Sequence, residues 1–389
     1  MTRWPSLCLP LVVAVGAAAA IADGMAEGRE IFVNIETGDD ANLGTAAEPL
    51  ATAQRAVNVA TSGDTIHLLP ESALYRQMIA LRGKSGITID GHGVTLTGAD
   101  PLPSEGWEPL GDRLHRRRVK TVRVGRRPRH LLIVGGRAER MGRSPTVRPD
   151  FPDPNKLGEG QFSWQEIDEQ EGWLYVRGDV EGLEWSVRPA GLLTTGRNRD
   201  VTVRNLNARH ALNDGFNVHG DARGMRFSHV TGYENYDEGF SAHDTCQCWI
   251  EDGRFWGNDN AAYDVNTADT YYRRCEFRES VSVEVGFAGG EHLLDECLIV
   301  AAGPVAFRLG PGTRPDEPGD KPPATCRLAG VEIRSADASP RAVEIQNDVA
   351  ADLIDCTLAG VELRLGKSQV KCENTTLDGR PWQAPAIGP

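Results

Sequence analysis

The sequence predicts an all-β chain wound as a right-handed, single-stranded parallel β-helix, with an N-terminal helical cap and a small β-rich insertion. Three observations carry this. Residues 198 to 310 repeat with a step of 22 to 24 residues, each repeat holds one short strand with period-two alternation, and turn-forming residues (Gly 43, Pro 23) far outnumber Met 5. All-helical folds are excluded by the last of these. Hydrophobic residues at 40% and charged residues at 25% exclude wholesale disorder.

The repeat is visible when written as coils. NRDVTVRNLNARHALNDGFNVHGD starts at Asn198, ARGMRFSHVTGYENYDEGFSAHDT at Ala222 and CQCWIEDGRFWGNDNAAYDVNTA at Cys246. DTYYRRCEFRESVSVEVGFAGG follows from Asp269 and EHLLDECLIVAAGPVAFRLG from Glu291, giving steps of 24, 24, 23 and 22. Two degraded coils follow, at about 324 to 350 and 351 to 375. A leucine-rich solenoid is rejected because the coils lack its regular Leu and Asn positions.

Within the coils Phe216, Phe240, Tyr263, Val283 and Phe307 form one column, and Val218, Ala242, Val265, Val285 and Leu309 another. Alternation makes these columns point inward. The outward columns are then Asn217, Ser241, Asp264, Glu284 and Arg308, and His219, His243, Asn266, Gly286 and Gly310. Asp214, Asp237 and Glu238 fall at the bend entering the strand. So many proton-transferring groups on one surface mark it as the candidate site.

Phe32 to Glu71 reads as strand, polar loop, short helix over Ala53 to Val59, Ser-Gly-Asp turn and strand. It resembles the opening segment of secreted β-helix proteins of the pectate-lyase-like superfamily. A helix there would cover the open end of the first coil. Residues 99 to about 196 break the period and read as an insertion rich in Trp, at 107, 164, 173 and 185. Its RAERMGR (137 to 143) and QFSWQEIDEQEGWLYVRG segments resemble an insertion of β-helix glycosidases and lyases acting on carbohydrate. Nine Lys or Arg residues lie between Arg113 and Arg129, a solvated face or a cradle for a polyanionic glycan.

GFSAHDT, from Gly239 to Thr245, is similar to the Asp-Pro-His-Asp/Glu motif of mannuronan C5-epimerases. His243 and Asp244 match it, Ser241 and Ala242 depart from it, and GFNVHGD echoes it at His219. The resemblance implies a histidine that moves a proton at C5 of a uronate. Such chemistry needs a base and neutralisation of the carboxylate. The candidate catalytic set is therefore His243, His219, Asp264, Glu284 and Arg308. Asp214, Asp237, Glu238, Asp244, Asn217 and Asn266 are the expected substrate-binding residues. No lysine occurs between Lys156 and Lys321, which disfavours lyases built on a lysine base.

The rival enzyme is a glycoside hydrolase with paired carboxylates on adjacent coils, either Asp264 with Glu284 or Asp214 with Glu238. A non-catalytic glycan-binding or cell-surface protein stays open beside both. The expected partner is an acidic polysaccharide. The formal net charge of -13 argues against nucleic acid. No cofactor is required, although calcium could bind the acidic bends, and a monomer is expected.

Residues 1 to 22 read as a secretory signal, with Arg3, an apolar run from Leu7 to Ala20, and small residues Ala20 and Ala22. A secreted or periplasmic location follows, and no later run is long and apolar enough for a span. Seven cysteines remain beyond that segment. Cys275, Cys297 and Cys356 share a corner column as buried thiols, while Cys246 and Cys248 could form a disulfide or bind metal. The end of the chain, RPWQAPAIGP, reads as an extended tail.

Overall fold

The computed structural model describes residues 28–145, 149–313, 319 and 321–384. The signal-like segment 1 to 22 lies outside the described residues. Short strands stack in parallel into three walls. The first has eleven strands and begins at Glu30–Asn34 and Thr65–Leu69, the second has nine and begins at Ile79–Arg82 and Leu192–Thr195, and the third has eleven and begins at Leu74–Tyr75 and Thr95–Thr97. Each coil runs first wall, third wall, second wall, as in Thr202–Arg204, Asn207–Arg209 and Phe216–Val218. This is a parallel β-helix. Among the described residues no helix is long and apolar enough to cross a membrane.

One apolar core runs along the axis from Ile31 to Val361. Phe240 sits near its middle, with ring centroids of Phe227, Tyr272, Phe255 and Phe216 at 5.1, 5.9, 6.0 and 6.3 Å. Edge-to-face and offset contacts of this kind add to the burial of each ring. Inward asparagines finish the corners: Asn258 Oδ1 accepts from the backbone N–H and the Nδ2 of Asn235 at 2.9 and 3.0 Å, which satisfies donors that would otherwise be stranded.

The helix spans Ala53–Val59, capped by the Thr52 hydroxyl, which accepts from Arg55 N. It buries Ala53, Ala56 and Val57 against the first coils. At the other end Arg380–Pro381 folds back antiparallel on Thr376–Leu377 and Trp382 packs on the core. Among the described residues the expected extended tail therefore opens with a short hairpin against the last coil, because an aromatic ring gains more from that contact than from water. The seven described cysteines are all free thiols. Cys275, Cys297 and Cys356 each donate weakly to a backbone carbonyl 25 to 28 residues earlier. Cys246 and Cys248 are buried and unbridged, and burial pushes the Cys246 thiol up to about 12.

The period breaks at Ala99. The chain leaves the corner between the third and second walls, forms antiparallel sheets, and rejoins at Leu192–Thr195. Ala99–Pro101 pairs antiparallel with Glu184–Ser186, closing the neck of the insertion. The insertion has its own core around Phe162, Trp164, Leu174 and Trp185. Most of its basic residues are spoken for within it: Arg113 pairs with Glu159 at 2.8 Å, Arg116 with Glu108 at 2.7 Å, and Arg123 with Glu166. Arg116 and Arg118 also lie over the Trp173 ring.

Candidate active site

The outward row of the second wall reads Leu193, Asn217, Ser241, Tyr263, Gly286 and Arg308. It carries neither Asp264 nor Glu284, so the expectation that these two carboxyls face outward is corrected. Phe240 pairs with Ala262, a step of 22, where equating Phe240 with Tyr263 assumed 23. A one-residue slip turns every side chain of a strand to the other face.

Asp264 is fully buried and serves the core. Its Oδ1 accepts from Ala242 N at 2.8 Å, and its Oδ2 lies 2.8 Å from both the Thr270 and Tyr272 hydroxyls. His292 Nε2 must donate to the Gly289 carbonyl, at 2.6 Å. A neutral His292 then presents a bare Nδ1, which takes the single Thr270 proton at 2.8 Å. The Thr270–Asp264 contact is left needing a proton of its own, carried by Asp264. Burial acts the same way, raising Asp264 to about 7 and lowering His292 to about 4.

A folded pKa above the unfolded one means that this stabilisation is complete below the unfolded value near 3.9. It is lost as pH rises through about 7. Asp264→Asn is expected to narrow the difference in Tm between pH 5 and pH 8 by roughly 3 °C, as read by calorimetry. An unchanged difference would refute the protonated assignment. Glu284 is also inward. Its Oε1 accepts from Ser280 N and Ala302 N, and burial raises it to about 7.

The two histidines do lie together on the outside. Their rings stack at 4.0 Å, and His219 Nδ1 is 3.5 Å from Asp244 Oδ2. Ser241 donates its proton to the Tyr263 carbonyl at 2.7 Å, so His243 Nε2 donates to Ser241 Oγ at 2.8 Å. Burial and the neighbouring ring hold His243 down at about 3, and burial lowers His219 as well. Arg308 stands three rungs from Ser241, about 14 Å along the stack, and pairs with Glu344 at 2.8 Å. Arg308 is therefore not brought to the histidines. Asp244 accepts from Gly220 N and Asn266 accepts from Asp244 N, at 2.8 and 3.1 Å. Both cap turns from coil to coil. Asn217 lies on the outward row, largely buried.

A tighter cluster forms where the third wall turns into the second. Asp214, Asp237 and Glu238 place carboxylate oxygens within 4.8 Å of one another. Asp214 and Glu238 lie on adjacent coils, each two residues before the register partners Phe216 and Phe240. The corner is pinched by glycine: a Cβ on Gly232 would fall 2.3 Å from the Gly239 carbonyl oxygen, so only a residue without one lets the two walls close up. Asp214 Oδ1 accepts from Glu238 N at 3.1 Å and its Oδ2 from Asn213 Nδ2 at 2.9 Å. Asn260 Nδ2 donates to Glu238 Oε1 at 2.8 Å.

The insertion leaves the helix at this same corner, one coil earlier, and overhangs the three acids. Arg129 reaches across 108 residues of sequence to Asp237 Oδ2 at 2.7 Å and to Asn213 Oδ1 at 2.6 Å. Burial raises Asp214 to about 7, the charge of Asp237 adding to it. Burial, then the charges of Asp237 and Asp214, lift Glu238 well above the usual carboxylate range. Beside the trio opens a cavity of about 170 Å³, walled by Arg127, Arg129, Arg143, Phe151, Trp164 and Tyr236. Arg143 lies 3.7 Å over the Phe151 ring. Arg129 belongs to both the cavity wall and the acid cluster. Nothing in the basic run distinguished it from its neighbours, and only the fold shows where it points.

No protein-family model and no curated protein matches this sequence. Solved structures do match. XylC in complex with xylose is similar with a TM-score of 0.58 at 12% identity, over 86% of this chain and 70% of that one. A glycoside hydrolase is similar with a TM-score of 0.57 at 10% identity, over 90% and 97%. Pectate lyase Pel9A matches with a TM-score of 0.47 at 11% identity, over 91% and 79%. At these identities the likenesses to XylC and the glycoside hydrolase bear on the fold alone, in agreement with the parallel β-helix.

Proposed function

We propose that the chain is an exported glycoside hydrolase acting on an acidic glycan, with Asp214, Asp237 and Glu238 as its catalytic carboxyls. One observation carries the reading: three acids meet within 4.8 Å, and they are held in unlike states. Glu238, crowded by two carboxylates and burial, keeps a proton near neutral pH and is the general acid. Asp237, paired with Arg129, is the partner that stabilises or attacks the anomeric carbon. Asp214, buried behind them, positions Glu238 and shares its proton. Unlike environments acting on neighbouring carboxyls are how one site supplies both acid and base. Oxygens within 4.8 Å of one another are closer than the gap of roughly 6.5 to 9.5 Å that an inverting enzyme leaves for water, which favours a retaining mechanism.

The arginine and aromatic wall beside the trio supports an anionic sugar. Guanidinium forks fit carboxylates, and rings fit the apolar face of a pyranose. Hydrolysis is also compatible with the glycoside hydrolase among the structural neighbours, an argument from fold alone. Proton abstraction by histidine, the chemistry implied by the epimerase-like motif, is less well supported. A histidine held near 3 is a weak base, and Arg308, on the neighbouring row of Ser241, is engaged by Glu344.

The test incubates purified protein with uronate-containing and neutral glycans, following reducing ends, unsaturated ends and deuterium entering C5. New reducing ends alone support hydrolysis. Unsaturated ends or C5 deuterium overturn it, as does inactivity on every glycan. His243→Gln is expected to leave kcat within about threefold of the native value. A loss above 100-fold would return the site to the histidines.

A further inference from the structure

A second constellation lies at the N-terminal end of the helix, on the outer face of the first wall and away from the acids. Phe32, His67 and Asp90 are register partners on three successive strands, and His92 follows in the turn. His67 Nδ1 and His92 Nε2 are 2.8 Å apart, and Asp90 Oδ1 is 3.9 Å from His92 Nε2. All three ligand atoms fall within 4.8 Å of one another.

The proton count singles out this arrangement. His67 Nε2 bonds the Glu30 carboxylate, which can only accept, so that nitrogen holds the ring proton. Its Nδ1 is then a bare lone pair aimed at His92 Nε2. The Phe32 ring, stacked on His67 at 5.0 Å, fixes the plane of the imidazole. Asp90 is anchored by Arg204 Nε at 2.8 Å, Asn205 Nδ2 at 3.0 Å and His92 N at 3.1 Å.

We propose that His67, Asp90 and His92 bind a divalent first-row transition cation of the zinc class, with Glu30 as the carboxylate that orients His67. Two imidazoles and one carboxylate suit zinc and its neighbours, whereas calcium takes oxygen ligands. Two nitrogens on one tetrahedral ion stand about 3.3 Å apart, so the rings part by about half an ångström on binding. The ion takes the place of the shared proton between His67 Nδ1 and His92 Nε2, and that proton moves to His92 Nδ1, so both rings bind as neutral imidazoles. The site ties three coils together at the end of the helix and is structural.

The experiment uses the full mature chain without an affinity tag. Cobalt(II) titration is expected to give one equivalent bound with a visible ligand-field band. Zinc should raise Tm, because the ion binds only the folded chain. His67→Gln and His92→Gln are each expected to weaken zinc at least 100-fold, and Glu30→Gln by 10- to 100-fold. His219→Gln should leave the affinity unchanged. The proposal is overturned if the native chain binds less than about 0.2 equivalents of cobalt, if neither His67→Gln nor His92→Gln weakens binding, or if His219→Gln abolishes it.

Discussion

Glu238→Gln is expected to lower kcat by about 10³-fold on any glycan the native chain hydrolyses, the size of effect general-acid removal produces. Glutamine keeps the shape of the side chain and the contact with Asn260 Nδ2 at 2.8 Å, but it has no proton to give the departing sugar oxygen. The same replacement removes a carboxyl from a crowded trio, so Tm should stay level or rise, a trade of stability against function common at active sites. The native pH profile follows from the raised Glu238. Activity needs the acid protonated and so declines as pH climbs through the upper apparent pKa of the trio, which titrates as a unit. Steady-state kinetics alongside calorimetry check both halves. A variant keeping a tenth of native kcat would place the acid elsewhere.

Phe240→Ala is expected to cost about 4 kcal/mol in unfolding free energy, measured by urea denaturation with the slope unchanged. Four aromatic neighbours surround this ring with centroids between 5.1 and 6.3 Å. They belong to strands of all three walls, so the surroundings cannot collapse into the space without moving whole rungs. Phe240→Leu, which refills most of the volume, should recover over half of the loss. A cost below about 1 kcal/mol for alanine would mean that the core repacks freely.

The scaffold was legible in the sequence because a solenoid repeats its physics. Phe216 and Phe240 occupy equivalent rungs, and the 24-residue step between them is plain by eye. The helix over Ala53–Val59 was equally plain, from its apolar face and the polar turns beside it. Facing was harder, because coils differ in length by one or two residues and one residue inverts a strand. On that account Asp264 reads as a surface residue though it finishes the core, whereas Glu284 turns inward at the bend between Val283, which packs outside beside Tyr263, and Val285 of the core. The acids at the bend were visible, but not their dominance. That depends on Arg129, which a gap of 108 residues separates from Asp237. The pair of His67 and His92 escaped notice because the early coils lie across the insertion from the repeat that set the columns.

The closed neck of the insertion has a further consequence. Ala99 sits opposite Ser186, so the scaffold experiences everything between them as a single hairpin turn, whatever its size. Parts of the appendage far from the corner can be lengthened, shortened or recharged, provided that Arg129 keeps Asp237 and Arg140 keeps the Tyr236 and Gly257 carbonyls. Bond cleavage would then rest on the rigid spine and Arg129 together, while the outer part of the overhang could be retuned to new glycans.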